Sequence, residues 1–162
     1  MKIIAFDPGF RLTGIVIVDC NKRSVTRVTP ASVVLHKLDI RDRLRVLFDH
    51  ITDLLTLHQP DHAVAEQVFF ARNFNSALKL AKVSGVIETA CHPFKKVEDY
   101  STCHIKKVVT GSGNAKKQDV RACLTDHCDV AIDHLIEDEV DALAAALTFL
   151  VHQYDYRNLV VS

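Results

Sequence analysis

The chain has 162 residues, of which 48% are hydrophobic and 25% are charged. This composition is typical of a folded globular protein and excludes disordered and low-complexity chains. The apolar runs are shorter than the ~20 residues that a membrane-spanning helix needs, and no secretory leader is evident. We therefore expect a single domain over residues 1–162, no membrane span and a cytoplasmic location. The five cysteines, an odd number without close-spaced pairs, favour reduced thiols over disulfides or a zinc site.

Charge is balanced over the whole chain but uneven along it. Twenty basic and twenty acidic residues argue mildly against a nucleic-acid-binding protein. The stretch from Phe69 to Arg121, however, holds ten Lys or Arg and four Asp or Glu, so its net charge is +6. Solvated helix surfaces are the ordinary explanation of such a stretch. Paired lysines on both sides of a glycine-containing loop favour a polyanionic partner instead.

Three consecutive strands are predicted in the first part of the chain. Residues 2–6 are apolar and end at Asp7-Pro8-Gly9, a typical turn sequence. Residues 13–19 contain a β-branched run that predicts the second strand. The third is predicted over residues 24–35, interrupted at Pro30 and therefore near an edge of the sheet.

Helices and strands alternate over the remainder. Apolar residues at helical spacing predict a helix over residues 41–57, with Asp39 as its N-cap. Short strands are predicted over residues 63–65 and 97–100. Further helices are predicted over residues 75–91, 101–109, 115–128 and 137–154. This order predicts an α/β fold with a mixed five-stranded sheet flanked by helices on both faces.

Two acidic residues occupy the ends of predicted strands. Asp7 ends the first strand and Glu66 ends the strand over residues 63–65. Ligand sites of open α/β sheets form at the carboxyl ends of strands. A turn aspartate often only accepts backbone N–H groups, so Asp7 alone indicates little. A second acid in the same kind of position is harder to explain in this way.

The last predicted helix adds two aspartates on one face. Asp138 and Asp141 are three residues apart, and the ten residues after Asp141 carry no charge, which is typical of a buried helix. Acids in a first turn also interact favourably with the helix dipole, and this explanation suffices for Glu137 and Glu139, which we expect to be in solvent. It explains Asp141 less well.

Three or four carboxylates in a partly buried site repel one another unless they share a divalent cation. Mg²⁺ prefers oxygen ligands and commonly binds carboxylates together with substrate phosphates. Two such ions can stabilise the attacking and the leaving oxygen of phosphodiester cleavage. The acids therefore favour a metal-dependent nuclease, and the basic stretch favours nucleic acid as its substrate.

Several short motifs resemble, in order and spacing, those of the RuvC family of Holliday-junction resolvases in the ribonuclease H-like superfamily. They are Phe6–Gly14, Ala65–Phe69, Asn73 with Ser76–Leu80, Ile105–Lys107, Gly111–Lys117 and Asp138–Ala144. The resemblance implies a ribonuclease H-like fold. It also implies an endonuclease of DNA recombination and repair that resolves four-way junctions by paired symmetric nicks and leaves 5′-phosphate ends.

The resemblance assigns roles to the matching positions. The implied catalytic carboxylates and ligands of two Mg²⁺ ions, with Mn²⁺ as a substitute, are Asp7, Glu66, Asp138 and Asp141. The residues implied to contact DNA are Phe69, Arg72, Asn73, Lys106, Lys107, Gly111, Gly113, Lys116 and Lys117. Phe69 would stack on or wedge bases at the junction centre, whereas Phe70 would be at least partly core. Lys106 and Lys117 would lie near the scissile phosphate, and Lys107 and Lys116 would exchange those roles if the register shifts by one.

Partners also follow from the resemblance. A family member would act as a homodimer whose two-fold symmetry matches the junction, and a branch-migration helicase complex is a further candidate partner. Small residues along the helix over residues 75–91 fit a dimer contact and packing within the chain equally well. These small residues are Ala77, Ala81, Ser84 and Gly85.

Alternative functions stay open at this point. The same acids would serve another ribonuclease H-like nuclease acting on branched DNA or RNA–DNA hybrids. A junction-binding module without catalysis is disfavoured by the intact acid set. An actin-like or sugar-kinase-like ATPase is disfavoured because the chain is too short for the two domains that clamp a nucleotide. The neutral net charge bears on DNA affinity more than on the chemistry.

Overall fold

The computed structural model describes residues 1–21, 24–68 and 74–154, apart from the side chain of His127. The strands in these ranges are β1 (Lys2–Asp7), β2 (Leu12–Cys20), β3 (Val25–Pro30), β4 (Val33–Val34), β5 (His62–Glu66) and β6 (Val97–Tyr100). The helices are α1 (Ile40–His58), α2 (Phe74–Cys91), α3 (Thr102–Thr110), α4 (Lys117–His127) and α5 (Glu137–Tyr154). None of these helices is both long and apolar enough to cross a membrane.

The sheet is mixed, as predicted. Its main path runs β3-β2-β1-β5-β6, and the short β4 pairs with β2. Strands β1, β2 and β3 are antiparallel neighbours, whereas β5 is parallel to β1 and β6 is parallel to β5. Phe6 of β1 pairs with Ala65 of β5. The next residue of each strand is acidic, so Asp7 and Glu66 reach the same edge of the sheet.

The predicted third strand proved to be two strands. Proline has no N–H to donate to a ladder, and β3 ends at Pro30. Ala31 donates its N–H to the carbonyl of Ile15 at 2.9 Å, and the chain then pairs again as β4 against Leu12 and Thr13. The five-stranded path is confirmed, and β4 is an addition to it.

Helix α5 is the centre of one face of the sheet. It packs against β2, β1 and β5, and its residues from Ala142 to Leu150 are buried. Alanines at 142, 144, 145 and 146 allow a helix to approach a sheet closely because they add little volume. Helices α3 and α4 complete this face, while α1 and α2 cover the opposite face. The predicted arrangement of helices on both faces is confirmed.

The first turn of α5 corrects one expectation. Glu139 was expected in solvent but is only 6% exposed. Its Oε2 accepts a hydrogen bond from the N–H of Ile136 at 3.0 Å, so the side chain satisfies a backbone donor at the start of the helix. Glu137 is exposed as expected.

Capping side chains set the start of other helices. Asp39 accepts the N–H of Arg41 at 2.9 Å, which confirms its predicted role as the N-cap of α1. The helix predicted over residues 115–128 begins two residues later, at Lys117. Asp119 accepts the N–H of Lys116 at 2.9 Å, and this bond fixes the later start.

Candidate active site

Four carboxylates lie in the same region, at one corner of the α5 face. Asp7 and Glu66 lie at the ends of β1 and β5, and Asp138 and Asp141 lie in the first turns of α5. All three of the other carboxylates raise the pKa of Asp7 through their charge, so they lie within electrostatic reach of it. The structure therefore brings together the four acids that the sequence indicated.

A glycine beneath α5 makes this corner possible. Gly14 pairs with Asp7 across β1 and β2. A Cβ at Gly14 would lie 2.2 Å from the carbonyl oxygen of Asp138 and 2.8 Å from its Cβ. Only glycine therefore allows the start of α5 to rest on the sheet beside Asp7. Sequence reasoning placed Gly14 in a motif without assigning it a role.

The turn after Asp7 is equally tight. A Cβ at Gly9 would lie 1.9 Å from the carbonyl oxygen of Leu12. The hydroxyl of Thr13 donates to the carbonyl of Gly9 at 2.8 Å. The turn leads directly from the carboxylate corner into β2 and holds the backbone after Asp7 in one conformation.

Glu66 has a partner on α3. The hydroxyl of Thr102 donates a hydrogen bond to Oε1 of Glu66, and Thr102 is the first residue of α3, whose N-cap is Ser101. The bond lowers the pKa of Glu66, while burial, the larger effect, raises it. Sequence reasoning missed Thr102, because its only signal was a place at the start of a helix.

Lys117 supplies the cation of the site. Its Nζ lies 2.6 Å from Oδ2 of Asp141 and 3.8 Å from Oε2 of Glu137. The hydrogen bond to Asp141 raises the pKa of Lys117. Because Lys117 opens α4, the packing of α4 beside α5 brings this ammonium to the carboxylates.

Three of the four carboxylates and two lysines line a common pocket of about 240 Å³, and Asp138 is not among the residues that line it. Its apolar wall comes from α3, α4 and α5. The polar residues that line it are Asp7, Glu66, Thr102, Lys106, Lys117 and Asp141. Such a pocket, with acids at its base and two lysines beside them, suits a phosphate group held against a divalent cation.

Burial, and after it repulsion between like charges, disfavours the ionised form of the carboxylates in the pocket. Burial and then the charges of Glu66, Asp141 and Asp138 raise the pKa of Asp7 from its ordinary 3.8 to about 8. A bound cation would relieve this cost, and carboxylate oxygens are the ligands that Mg²⁺ and Mn²⁺ prefer. The donor set therefore fits such an ion. Within the described ranges, no three Asp, Glu, His or Cys side chains are close enough together to form a preassembled metal site. The carboxylate of Asp141 is paired with the ammonium of Lys117.

The predicted DNA-contacting residues fall into three groups. Phe69, Arg72 and Asn73 lie outside the described residues, as does Phe70. Lys106 and Lys117 line the pocket, whereas Lys107 and Lys116 are exposed and are not among the residues that line it. The two lysines of the pocket are thus Lys106 and Lys117.

The glycine loop between α3 and α4 has two conformational requirements. Gly111 caps α3 with a φ of 78°, in the left-handed region that favours glycine. A Cβ at Gly113 would lie 2.6 Å from Sγ of Cys103. The two glycines hold the loop close to α3, which sets where α4 and its Lys117 begin.

The family model and the relatives that match this chain carry the same description. The family model described as crossover junction endodeoxyribonuclease RuvC matches residues 3–149. A protein of that name from Alkalilimnicola ehrlichii is 39% identical over 159 residues, covering 95% of this chain and 93% of the relative. Another, from Shewanella loihica, is 33% identical over 159 residues, covering 98% of this chain and 90% of the relative.

Solved structures share the fold. Thermus thermophilus RuvC in complex with a Holliday junction substrate superposes with a TM-score of 0.82 at 20% identity, over 96% of each chain. The yeast mitochondrial Holliday junction resolvase superposes with a TM-score of 0.63 at 12% identity, over 96% of this chain and 82% of that chain. At these identities the likeness establishes the fold.

Proposed function

This chain belongs to the RuvC family of crossover junction endodeoxyribonucleases, and on that premise we propose that it resolves four-way DNA junctions by paired, symmetric, metal-dependent nicks. The observation that supports the proposal is the meeting of Asp7, Glu66, Asp138 and Asp141 at one corner of the fold. A non-catalytic junction-binding module would have no need of four mutually repelling, partly buried carboxylates.

The four carboxylates would hold two Mg²⁺ ions, with Mn²⁺ as a substitute. When bound, the ions activate a water molecule and stabilise the leaving 3′-oxygen, so that the product carries a 5′-phosphate. The residues of the chain prepare the site for this chemistry. The Thr102 hydroxyl fixes one carboxylate oxygen of Glu66, and Gly14 lets Asp138 lie against the strand that carries Asp7.

Two lysines would bind the scissile phosphate. Lys106 and Lys117 line the pocket from α3 and α4, and both carry Nζ groups that can donate to non-bridging phosphate oxygens. The bond from Lys117 to Asp141 would be exchanged for a bond to the phosphate once a divalent cation shares the Asp141 carboxylate. Phe69, Arg72, Asn73, Lys107, Lys116 and the Gly111–Gly113 loop would contact the DNA beyond the cut.

We propose a homodimer formed along α2. A groove of about 330 Å³ runs beside this helix and is lined by Ala77, Ala81, Ser84 and Gly85. Ala81 and Gly85 are exposed, and nothing lies within 4 Å of a Cβ built at Gly85. Ala77 is buried within the chain, but packing within the described part of the chain does not account for Ala81 and Gly85, whereas a helix of a second copy would. Two copies related by a two-fold axis present two active sites to two strands of like sequence.

A cleavage assay tests the proposal. A labelled synthetic four-way junction, a linear duplex and an RNA–DNA hybrid are incubated with the protein in Mg²⁺, with EDTA and Asp7→Asn as controls. We expect paired symmetric nicks on the junction alone, abolished by either control. Preferential cleavage of the hybrid would retain the metal site and replace the substrate. Junction binding without any cleavage would contradict the assignment of an enzyme.

A further inference from the structure

A second cleft lies on the other side of the Asp7 turn, between the start of α1 and the start of α2. Its volume is about 540 Å³, and it is lined by Phe10, Arg11, His36, Arg43, Ser76 and Lys79. Arg11, Arg43 and Lys79 are cationic, and no acidic side chain is among the described residues that line the cleft. The metal-dependent chemistry proposed above makes no use of this surface.

Arg43 gives the cleft a fixed wall. Its guanidinium donates to the carbonyls of Leu38, Phe10 and His36 at 3.3–3.4 Å. The same guanidinium lies 5.1 Å from the centroid of the Phe10 ring, within cation–π distance. The half-buried guanidinium therefore links the backbone before α1 to the turn after Asp7 through hydrogen bonds.

Arg11 and Lys79 are the available cations. Both are exposed, and Nζ of Lys79 lies 5.7 Å from the centroid of the Phe10 ring. The ion pairs among the described residues join Lys2 to Asp19, Arg45 to Asp49, and Lys117 to its two acids. In the described ranges, Arg11 and Lys79 thus form no ion pair with a carboxylate, and both side chains are exposed to solvent.

The cleft is close to the carboxylates along the chain. Arg11 is four residues after Asp7, and an extended chain spans at most ~3.5 Å per residue, so their Cα atoms are at most about 14 Å apart. Successive phosphates on one strand of B-DNA rise about 3.4 Å along the axis. A strand with one phosphate at the carboxylates would therefore place another phosphate near the Cα of Arg11 within about four nucleotides.

We propose that this cleft is a second phosphate-binding site, which holds the backbone of the DNA a few nucleotides from the cut. Arg11 and Lys79 each contact one phosphate, Phe10 packs against the sugar or base between them, and Arg43 holds the wall in place. The identity of the ligand as DNA rests on the proposed function. The positive, acid-free lining and its distance from Asp7 are independent of it.

Salt dependence measures such contacts directly. Each lysine or arginine that neutralises a phosphate adds about 0.9 to the slope of log K against log salt concentration. Binding of a labelled four-way junction is measured in EDTA between 50 and 200 mM salt, for the wild type and for the double variant Arg11→Gln/Lys79→Gln. We expect the double variant to have a slope smaller by about 2, so the wild type loses about tenfold more affinity across this range.

Lys82→Gln is the matched control, because Lys82 is an exposed lysine of the same helix outside the cleft. Its slope should equal that of the wild type. Thermal unfolding of each variant verifies that these exposed substitutions leave the fold intact. Equal slopes for the wild type and the double variant overturn the proposal, as does an equal decrease in Lys82→Gln.

The cleavage assay in Mg²⁺, run on the same preparations, separates the two proposals. A wild type that cuts the junction while the double variant keeps the full salt slope overturns the second site alone. A wild type that neither binds nor cuts the junction removes the proposed function, and the cleft then loses its assigned ligand.

Discussion

Helices α5 and α2 have the same length, 18 residues, and opposite surroundings. Helix α5 lies across three strands, and its residues from Ala142 to Leu150 are buried. Helix α2 packs against α1 on the other face of the sheet but leaves Phe74 70% and Leu78 45% exposed. The buried helix fixes the positions of two of the proposed catalytic aspartates, whereas the exposed helix carries the surface along which we propose that a second copy packs. Contacts within the chain therefore surround α5, whereas part of the surface of α2 is left exposed.

The largest expected difference is in the cost of removing a leucine. Leu147 of α5 is 2% exposed, so Leu147→Ala should lower the free energy of unfolding by about 2–5 kcal/mol. Leu78→Ala on α2 should change it by less than about 0.5 kcal/mol at protein concentrations where the chain is monomeric. Chemical denaturation of both variants makes the comparison. Similar losses at both positions would show that α2 is as enclosed as α5.

The next comparison substitutes one glycine in each region, Gly14 of β2 beneath α5 and Gly85 of α2. Gly14→Ala places a methyl group 2.2 Å from the carbonyl oxygen of Asp138, so α5 must move away from β2. We expect the free energy of unfolding to fall by about 2–3 kcal/mol. We also expect at least a hundredfold loss of cleavage, because displacing catalytic groups by ~1 Å can lower the rate by about that factor. Differential scanning calorimetry and the junction assay measure the two effects.

Gly85→Ala is the matched change on α2. Nothing lies within 4 Å of the added methyl group, and alanine is about 1 kcal/mol better than glycine inside a helix. The monomer should therefore become slightly more stable. The dimer should weaken if a second copy packs along this helix, which sedimentation equilibrium measures. An unchanged dimer affinity would contradict the proposed interface.

The raised pKa of Asp7 predicts that the stability of the metal-free protein depends on pH. The pKa of Asp7 is raised from 3.8 to about 8, so the folded state holds this proton more tightly than the unfolded state. The free energy of unfolding of the metal-free protein must then fall as pH rises from about 4 to 8. Asp7→Asn removes this titration and should be more stable than the wild type in EDTA at pH 8, by about 1–2 kcal/mol.

Two further observations sharpen that test. The stability advantage of Asp7→Asn should shrink as the pH is lowered toward 5, because the wild-type carboxyl regains its proton. Added Mg²⁺ should stabilise the wild type more than the variant, since a ligand that binds only the folded state raises its stability. An Asp7→Asn variant less stable than the wild type at pH 8 in EDTA would indicate that the corner carries no such repulsion.

The smallest expected effect concerns Thr102. Thr102→Val removes the hydroxyl that donates to Glu66 and keeps the shape of the side chain, so stability should fall by about 1 kcal/mol. Glu66 would lose its fixed orientation, and we expect the Mg²⁺ concentration for half-maximal cleavage to rise about tenfold, the low end of the 10–100-fold effect of losing a hydrogen bond that orients a metal ligand. Thr102→Ser keeps the donor and should restore the wild-type requirement. Failure of serine to restore it would assign the effect to packing.

The sequence predicts the helices, the strands and the acidic residues of the site better than it predicts the contacts between side chains. The ends of β1 and β5 are predictable from apolar runs that stop at an acid, and parallel pairing then brings Asp7 and Glu66 together. The helical spacing of Asp138 and Asp141 is equally local. The bonds from Thr102 to Glu66 and from Lys117 to Asp141 depend on how α3 and α4 lie beside α5. No local pattern encodes that placement, and the same is true of the buried Glu139.

The ion pair between Lys117 and Asp141 has a consequence for the order of events. At 2.6 Å, the ammonium is the counter-ion of Asp141 in the metal-free protein, so binding of a divalent cation at this carboxylate would be an exchange of one cation for another. The displaced ammonium is free to hold a phosphate only after that exchange. Binding of the scissile phosphate by Lys117 would therefore be coupled to binding of the metal, although other basic residues would hold the DNA in either state.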